Sequence, residues 1–76
     1  MSAASIAQQA LSLAEQHLGK GVMQSSAQLC ADDSRALIAK GLHKHAALRA
    51  LRSLEYSVGG FHPDCAKAEA LIAQVA

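Results

Sequence analysis

The apolar and polar positions of this chain follow a helical period most clearly between Gly41 and Gly60. One side of this segment carries aliphatic residues, namely Ala47, Ala50, Leu51, Leu54 and Val58. The opposite side carries His45, Arg49, Arg52 and Tyr56. A third face has only the small residues Ala46, Ser53 and Ser57. Small residues let a neighbouring helix approach closely, so the pattern predicts a helix over 43–58 that is covered on more than one side.

Three further helices are predicted by the same periodicity. The first spans about 5–18 and begins at a capping box formed by Ser5 and Gln8. The second spans about 23–40, with a similar box at Ser25 and Gln28, and ends at Gly41. The fourth spans about 63–75, because Pro63 suits a first helical position and Asp64 complements the positive end of the helix dipole.

These segments form one domain of 76 residues, which we predict to be all-α. Two arrangements remain open, a small antiparallel four-helix bundle and a pair of stacked helical hairpins. With one Phe, one Tyr and no Trp, the core has to be built from Leu, Ile, Val and above all Ala, which brings the helices close together. A core this small favours self-association, because a dimer buries additional apolar area.

Targeting signals and chemical motifs narrow the function classes. The first sixteen residues contain no Lys or Arg, and no apolar run has the length of a membrane span, which predicts a soluble cytoplasmic protein with no membrane association.

Cys30 and Cys65 fall on apolar faces and are interpreted as buried thiols, with a disulfide or a redox role as the alternatives. No acid–base pair, nucleophile motif or phosphate loop is present, so we predict neither an enzyme nor a cofactor.

The four histidines, His17, His43, His45 and His62, do not have the spacing of a metal site. His43 and His45 are two residues apart and point to different sides of one helix, so they do not chelate one ion. No metal site is therefore predicted.

His62-Pro63-Asp64 is similar to the tripeptide in the loop of J-domain co-chaperones. That family has a strongly basic helix directly before the tripeptide and a long helix after it. Here Gly59-Gly60 interrupts the preceding helix, and only twelve residues follow Asp64. The tripeptide is therefore interpreted as the start of a helix.

Positive charge is concentrated on the second and third helices, although the net charge is only +1. Arg35, Lys40, Lys44, Arg49 and Arg52 are five of the seven Lys and Arg residues, and no acid lies between Asp33 and Glu55. The first turn of the third helix adds His43 and His45 where unpaired amides already favour anions. The candidate residues for binding an anion or a partner are Lys40, His43, Lys44, His45, Arg49 and Arg52, and the alternative is solvated surface charge in which Lys40 complements the end of its own helix.

Two functions agree with these observations. The first is a non-enzymatic helical domain that associates with itself, as a homodimer, or with an acidic protein partner. The alternative is an accessory protein that binds nucleic acid or another anion weakly through the basic residues. The scarcity of aromatic side chains for base stacking makes nucleic acid the less favoured partner.

Overall fold

Four helices account for most of the chain in the computed structural model, which describes residues 1–75. They are α1 (Ala3–Glu15), α2 (Gln24–Ala39), α3 (His43–Val58) and α4 (Pro63–Ala73). No strand occurs within the described residues, so the predicted all-α class is confirmed. None of these helices is both long and apolar enough to cross a membrane.

Both α1 and α3 contact the other three helices, and α3 is the centre of the bundle because its contacts are the more extensive. Its most extensive contacts are with α2 and α1, and α4 packs against both α1 and α3. Within residues 1–75, α2 and α4 do not contact each other, so they lie on opposite sides of the α1–α3 pair. The four helices therefore form a small bundle organised around α3.

Alanine supplies most of the core, as the composition predicts. The fully buried alanines are Ala7, Ala10, Ala14, Ala27, Ala31, Ala46, Ala47, Ala50 and Ala68. Only a few larger side chains join them, chiefly Ile6, Leu11 and Leu54. Both thiols are free and buried, which agrees with their interpretation as small apolar residues. Helices joined mainly through methyl groups must pack closely, because a small side chain leaves little space between two backbones.

The small face of α3 lies against α2 and holds it through buried serines. Ser53 Oγ donates a hydrogen bond to the carbonyl of Ala27 at 2.8 Å, and Ser34 Oγ donates to the carbonyl of Ala46 at 2.8 Å. Both serines are fully buried. The two bonds run in opposite directions between the helices, and their pairing shows that α2 and α3 are antiparallel. Ser53 was predicted to lie on a contact face, whereas the burial of Ser34 was not foreseen.

Replacing Ser34 or Ser53 with alanine is expected to lower the free energy of unfolding by about 0.5 to 1.5 kcal/mol each. Alanine has a higher helix propensity than serine, so propensity alone would slightly raise the free energy of unfolding. A measured decrease therefore reports the loss of the buried hydrogen bond. Ser12→Ala in α1 is the matched control, because Ser12 is exposed. Urea unfolding of the three variants checks the expectation, and serine variants as stable as Ser12→Ala would contradict it.

A glycine with positive φ follows each of the first three helices, namely Gly19 (84°), Gly41 (78°) and Gly59 (83°), and Gly19 lies four residues beyond the end of α1. The turn after α2 is a Schellman motif. Leu42 N–H donates to the carbonyl of Leu37 at 2.9 Å, and Gly41 N–H donates to the carbonyl of Ile38 at 3.0 Å. The left-handed conformation at Gly41 closes the helix where the sequence predicts its end, and α3 begins two residues later.

The predicted start of α1 is wrong, and α2 begins within one residue of its predicted start but without the predicted capping box. The helix α1 begins at Ala3 with Ser2 as its N-cap, and Ser2 Oγ accepts from Ser5 N–H at 3.1 Å. Ser5 is thus inside the first turn, because the two alanines before it extend the helix towards the N-terminus. No side chain caps α2, which begins at Gln24, so the predicted box at Ser25 does not form.

The end of α1 also differs from the prediction. Regular α-helix stops at Glu15, and the next residues form tighter turns in which His17 N–H bonds to the carbonyl of Ala14 and Leu18 N–H to that of Glu15. At the C-terminus, α4 ends at Ala73 rather than Val75. The observed α3 spans the predicted range 43–58.

Candidate functional site

A groove between α2 and α3 brings most of the predicted binding residues together. We call it the basic groove. It has a volume of about 550 Å³ and is lined by Asp33, Ala36, Leu37, Lys40, His45, Leu48, Arg49 and Arg52. Its lining therefore combines three apolar residues with three Lys and Arg residues, one histidine and one aspartate.

Four of the six predicted residues lie in the basic groove, because Lys40 ends α2 while His45, Arg49 and Arg52 share one face of the antiparallel α3. Lys44 is exposed just outside it. His43 is half-buried and is not part of the lining, and its buried Nδ1 has no hydrogen-bond partner within the described residues.

The positive charge of the groove is only partly neutralised. Arg49 Nη2 lies 3.9 Å from Asp33 Oδ2, and Arg52 Nε lies 3.4 Å from Glu55 Oε1. Lys40 makes no ion pair with any residue between 1 and 75. Exposed pairs of this kind contribute little and exchange partners readily, so the groove retains cations for a ligand.

Arg35, which adds to the positive charge of α2 in the sequence, is directed away from the groove. Its guanidinium lies 2.8 Å from Glu15 and 2.7 Å from Asp32. The hydrogen bond with Glu15 raises the pKa of Arg35 above its ordinary value, and Asp32 adds to the effect. Arg35 therefore already has two carboxylate partners within the chain, one of them at i−3 on the same helix.

Leu48 is a groove residue that the sequence analysis did not select. Its side chain is 44% exposed and lies among the cations of α3. Its position three residues after His45 and four before Arg52 places an apolar side chain on the otherwise charged face of the helix. In the sequence, the evidence for this residue is that Leu48 interrupts the charged face of the third helix.

A second group of chemically active side chains lies at the opposite end of α3. We call His17, His62 and Asp64 the histidine–aspartate cluster. His17 Nε2 donates to Asp64 Oδ2 at 2.7 Å, and the rings of His17 and His62 have centroids 5.0 Å apart. His62 is the N-cap of α4, and its Nδ1 accepts from Asp64 N–H at 3.0 Å.

The protonation of the histidine–aspartate cluster follows from these contacts. The hydrogen bond from His17 holds the pKa of Asp64 below its ordinary value, and the charge of Lys67, 3.6 Å away, acts in the same direction. An ionised Asp64 accepts from the His17 Nε2–H, and a neutral His62 whose Nδ1 accepts must carry its proton on Nε2. Next to the cluster, burial raises the pKa of the Cys65 thiol, which lies 3.4 Å from the carbonyl oxygen of Gly59.

The sequence analysis weighed the histidines by their spacing along one helix and therefore missed this cluster. His17 follows α1 and His62 precedes α4, so their contact depends on tertiary packing. The loop after α1 lies against the end of α3, as the close approach of Gly21 to the Ser57 carbonyl shows. That packing brings the α1 terminus to the start of α4.

Comparison with known proteins adds no functional assignment. No protein-family model matches the chain, and neither the curated proteins nor the solved structures contain a match.

Proposed function

We propose that this chain is a non-enzymatic protein-interaction domain whose basic groove binds an acidic amphipathic segment of a partner protein. The observation that carries this proposal is the composition of the groove. Leu37 and Leu48 offer apolar surface in the groove, and Lys40 and Arg49 line the same groove. A helix with one apolar and one acidic face matches both features at once.

Charge distinguishes this groove from the other large groove of the molecule. A groove of about 540 Å³ between α1 and α4 is lined by Leu13, Leu71 and several glutamines, with Lys67 as its single charged residue. The two grooves are alike in volume, so size does not select between them. The basic groove alone combines apolar surface with several cations, which give steering and specificity for an acidic partner.

The chain offers little acidic surface of its own to fill the groove. Five of its six carboxylate side chains lie within 4.0 Å of a cation of the same chain, namely Glu15, Asp32, Asp33, Glu55 and Asp64. Glu69 on α4 is the exception among residues 1–75. A second copy would have to exchange these pairs within each chain to supply the complementary charge, which favours a partner richer in acidic residues over a homodimer at this site.

A synthetic peptide with leucines on one helical face and glutamates on the other is the direct probe. We expect Lys40→Glu combined with Arg49→Gln to weaken peptide binding about tenfold. Two charge pairs with peptide glutamates are lost, and the new glutamate at position 40 repels the peptide. Lys44→Glu combined with Lys20→Gln is the matched control, because it changes the net charge equally at exposed positions outside the groove. Equal weakening by both double variants, measured by fluorescence anisotropy, would refute a specific groove.

The apolar part of the proposal has its own test within the same assay. Leu48→Ala should weaken peptide binding. Because the side chain is half exposed, the free energy of unfolding should stay within about 0.5 kcal/mol of the parent chain. Leu29→Ala is the control, since Leu29 is 63% exposed and lies outside the groove. A single-stranded oligonucleotide bound more tightly than the peptide, with steep salt dependence, would instead favour the nucleic-acid function.

A further inference from the structure

We propose that the histidine–aspartate cluster is a binding site for a divalent transition-metal ion of the zinc type, with His17, His62 and Asp64 as its protein ligands. One candidate ligand atom from each residue lies within 4.8 Å of the others. The three residues come from two separate parts of the chain, the end of α1 and the start of α4. The ion would therefore join two elements that are otherwise far apart in sequence.

The donor set suits a borderline metal. Imidazole nitrogen and carboxylate oxygen are ordinary ligands of Zn²⁺, and two histidines with one carboxylate leave one position for water or another ligand. Access for that fourth ligand exists, because the side chains of His17 and Asp64 are 19% and 15% exposed. A hard ion such as Mg²⁺ prefers oxygen ligands and does not suit two imidazoles.

Small side-chain movements are sufficient to form the site. Zn²⁺ holds such ligands at about 2.0–2.2 Å, so tetrahedral ligands stand roughly 3.3–3.6 Å apart. His17 Nε2 and Asp64 Oδ2, now 2.7 Å apart, must separate by less than about 1 Å, and a pair of ligand atoms at the 4.8 Å limit must approach by roughly 1.2–1.5 Å.

Metal binding changes the protonation of the histidines and breaks the N-cap hydrogen bond of α4. For Nε2 of His17 to coordinate the ion, a neutral imidazole must move its proton from Nε2 to Nδ1, whereas an imidazolium releases its Nε2 proton to solvent. His62 gives up its bond to Asp64 N–H, because a ligating Nδ1 no longer accepts and a ligating Nε2 requires the proton on Nδ1. Lys67 remains near the second oxygen of Asp64 and can hold the carboxylate in orientation.

The test uses the whole chain, stripped of metal with a chelator and titrated with zinc chloride against a chromophoric zinc indicator. We expect one ion per chain and a melting temperature that rises with free zinc. His17→Gln keeps a donor for Asp64 and His62→Asn keeps a good N-cap, yet each removes an imidazole. Each substitution should weaken zinc binding at least about tenfold.

The double variant His43→Ala with His45→Ala is the control, and its affinity should stay within twofold of the parent. Imidazole NMR spectra of the parent chain provide a readout that does not depend on how the variants fold. Zinc should shift the ring signals of His17 and His62 and leave those of His43 and His45 in place. No zinc binding, binding that survives loss of either cluster histidine, or shifts confined to His43 and His45 would each overturn the proposal.

Discussion

Replacing Gly21 with alanine is expected to destabilise the fold by about 2 kcal/mol or more, because the new methyl group would overlap main-chain atoms. An ideal Cβ at this position meets the carbonyl oxygen of Ser57 and lies 2.9 Å from its carbonyl carbon. Both atoms belong to the last turn of α3, which contacts all the other helices. Neither can rotate away as a side chain would, so the loop after α1 must move off the helix.

The matched control for this prediction is Gly60→Ala. Gly60 also lies in an interhelical turn, but nothing stands within 4 Å of a Cβ built there and its φ is not positive. We expect its stability to remain within about 0.5 kcal/mol of the parent chain. Urea unfolding of both variants measures the difference, and equal stability would show that the loop does not pack on α3.

Ala50→Leu is expected to lower the free energy of unfolding by about 2 to 3 kcal/mol. Ala50 is fully buried at the centre of α3 and belongs to the same core cluster as Ala10 and Leu11 of α1. Three additional carbon atoms there must push α1 and α3 apart. For a chain of 76 residues the whole stability is only about 4 to 11 kcal/mol, so this single change removes a large part of it.

Ala66→Leu separates packing from helix propensity. Ala66 is exposed on α4, so the same substitution there should leave stability within about 0.5 kcal/mol. Thermal denaturation followed by circular dichroism measures both variants. If Ala50→Leu melts at the temperature of Ala66→Leu, α1 and α3 are not joined through alanine contacts.

The helices were predictable from the sequence because glycine and apolar periodicity act locally. Gly41 and Gly59 end helices in the left-handed conformation, and the small face of α3 predicted a second covering helix. The start of α1 was less predictable, since Ser2 and Ser5 are both suitable N-cap residues. Ser2 caps α1 because the alanines after it are good helix formers. The capping-box pattern at Ser5 does not indicate whether Ser2 or Ser5 is the N-cap.

The candidate sites were predictable to different degrees. The basic groove joins residues of two helices that are adjacent in sequence, so clustered charge on α2 and α3 indicated its position. Even so, the sequence did not show that Arg35 turns to Glu15, because that contact depends on how α1 crosses α2. The histidine–aspartate cluster depends on the loop after α1 reaching the start of α4, which no local pattern records.

The most direct test of the proposed function is an NMR titration of the isotope-labelled chain with the acidic amphipathic peptide, recording backbone amide shifts. The groove predicts that the largest changes fall in two stretches, residues 36–40 of α2 and 45–52 of α3. The proposal would be contradicted if the largest changes fell on α1 and α4, or if no amide signals shifted even in a large excess of peptide.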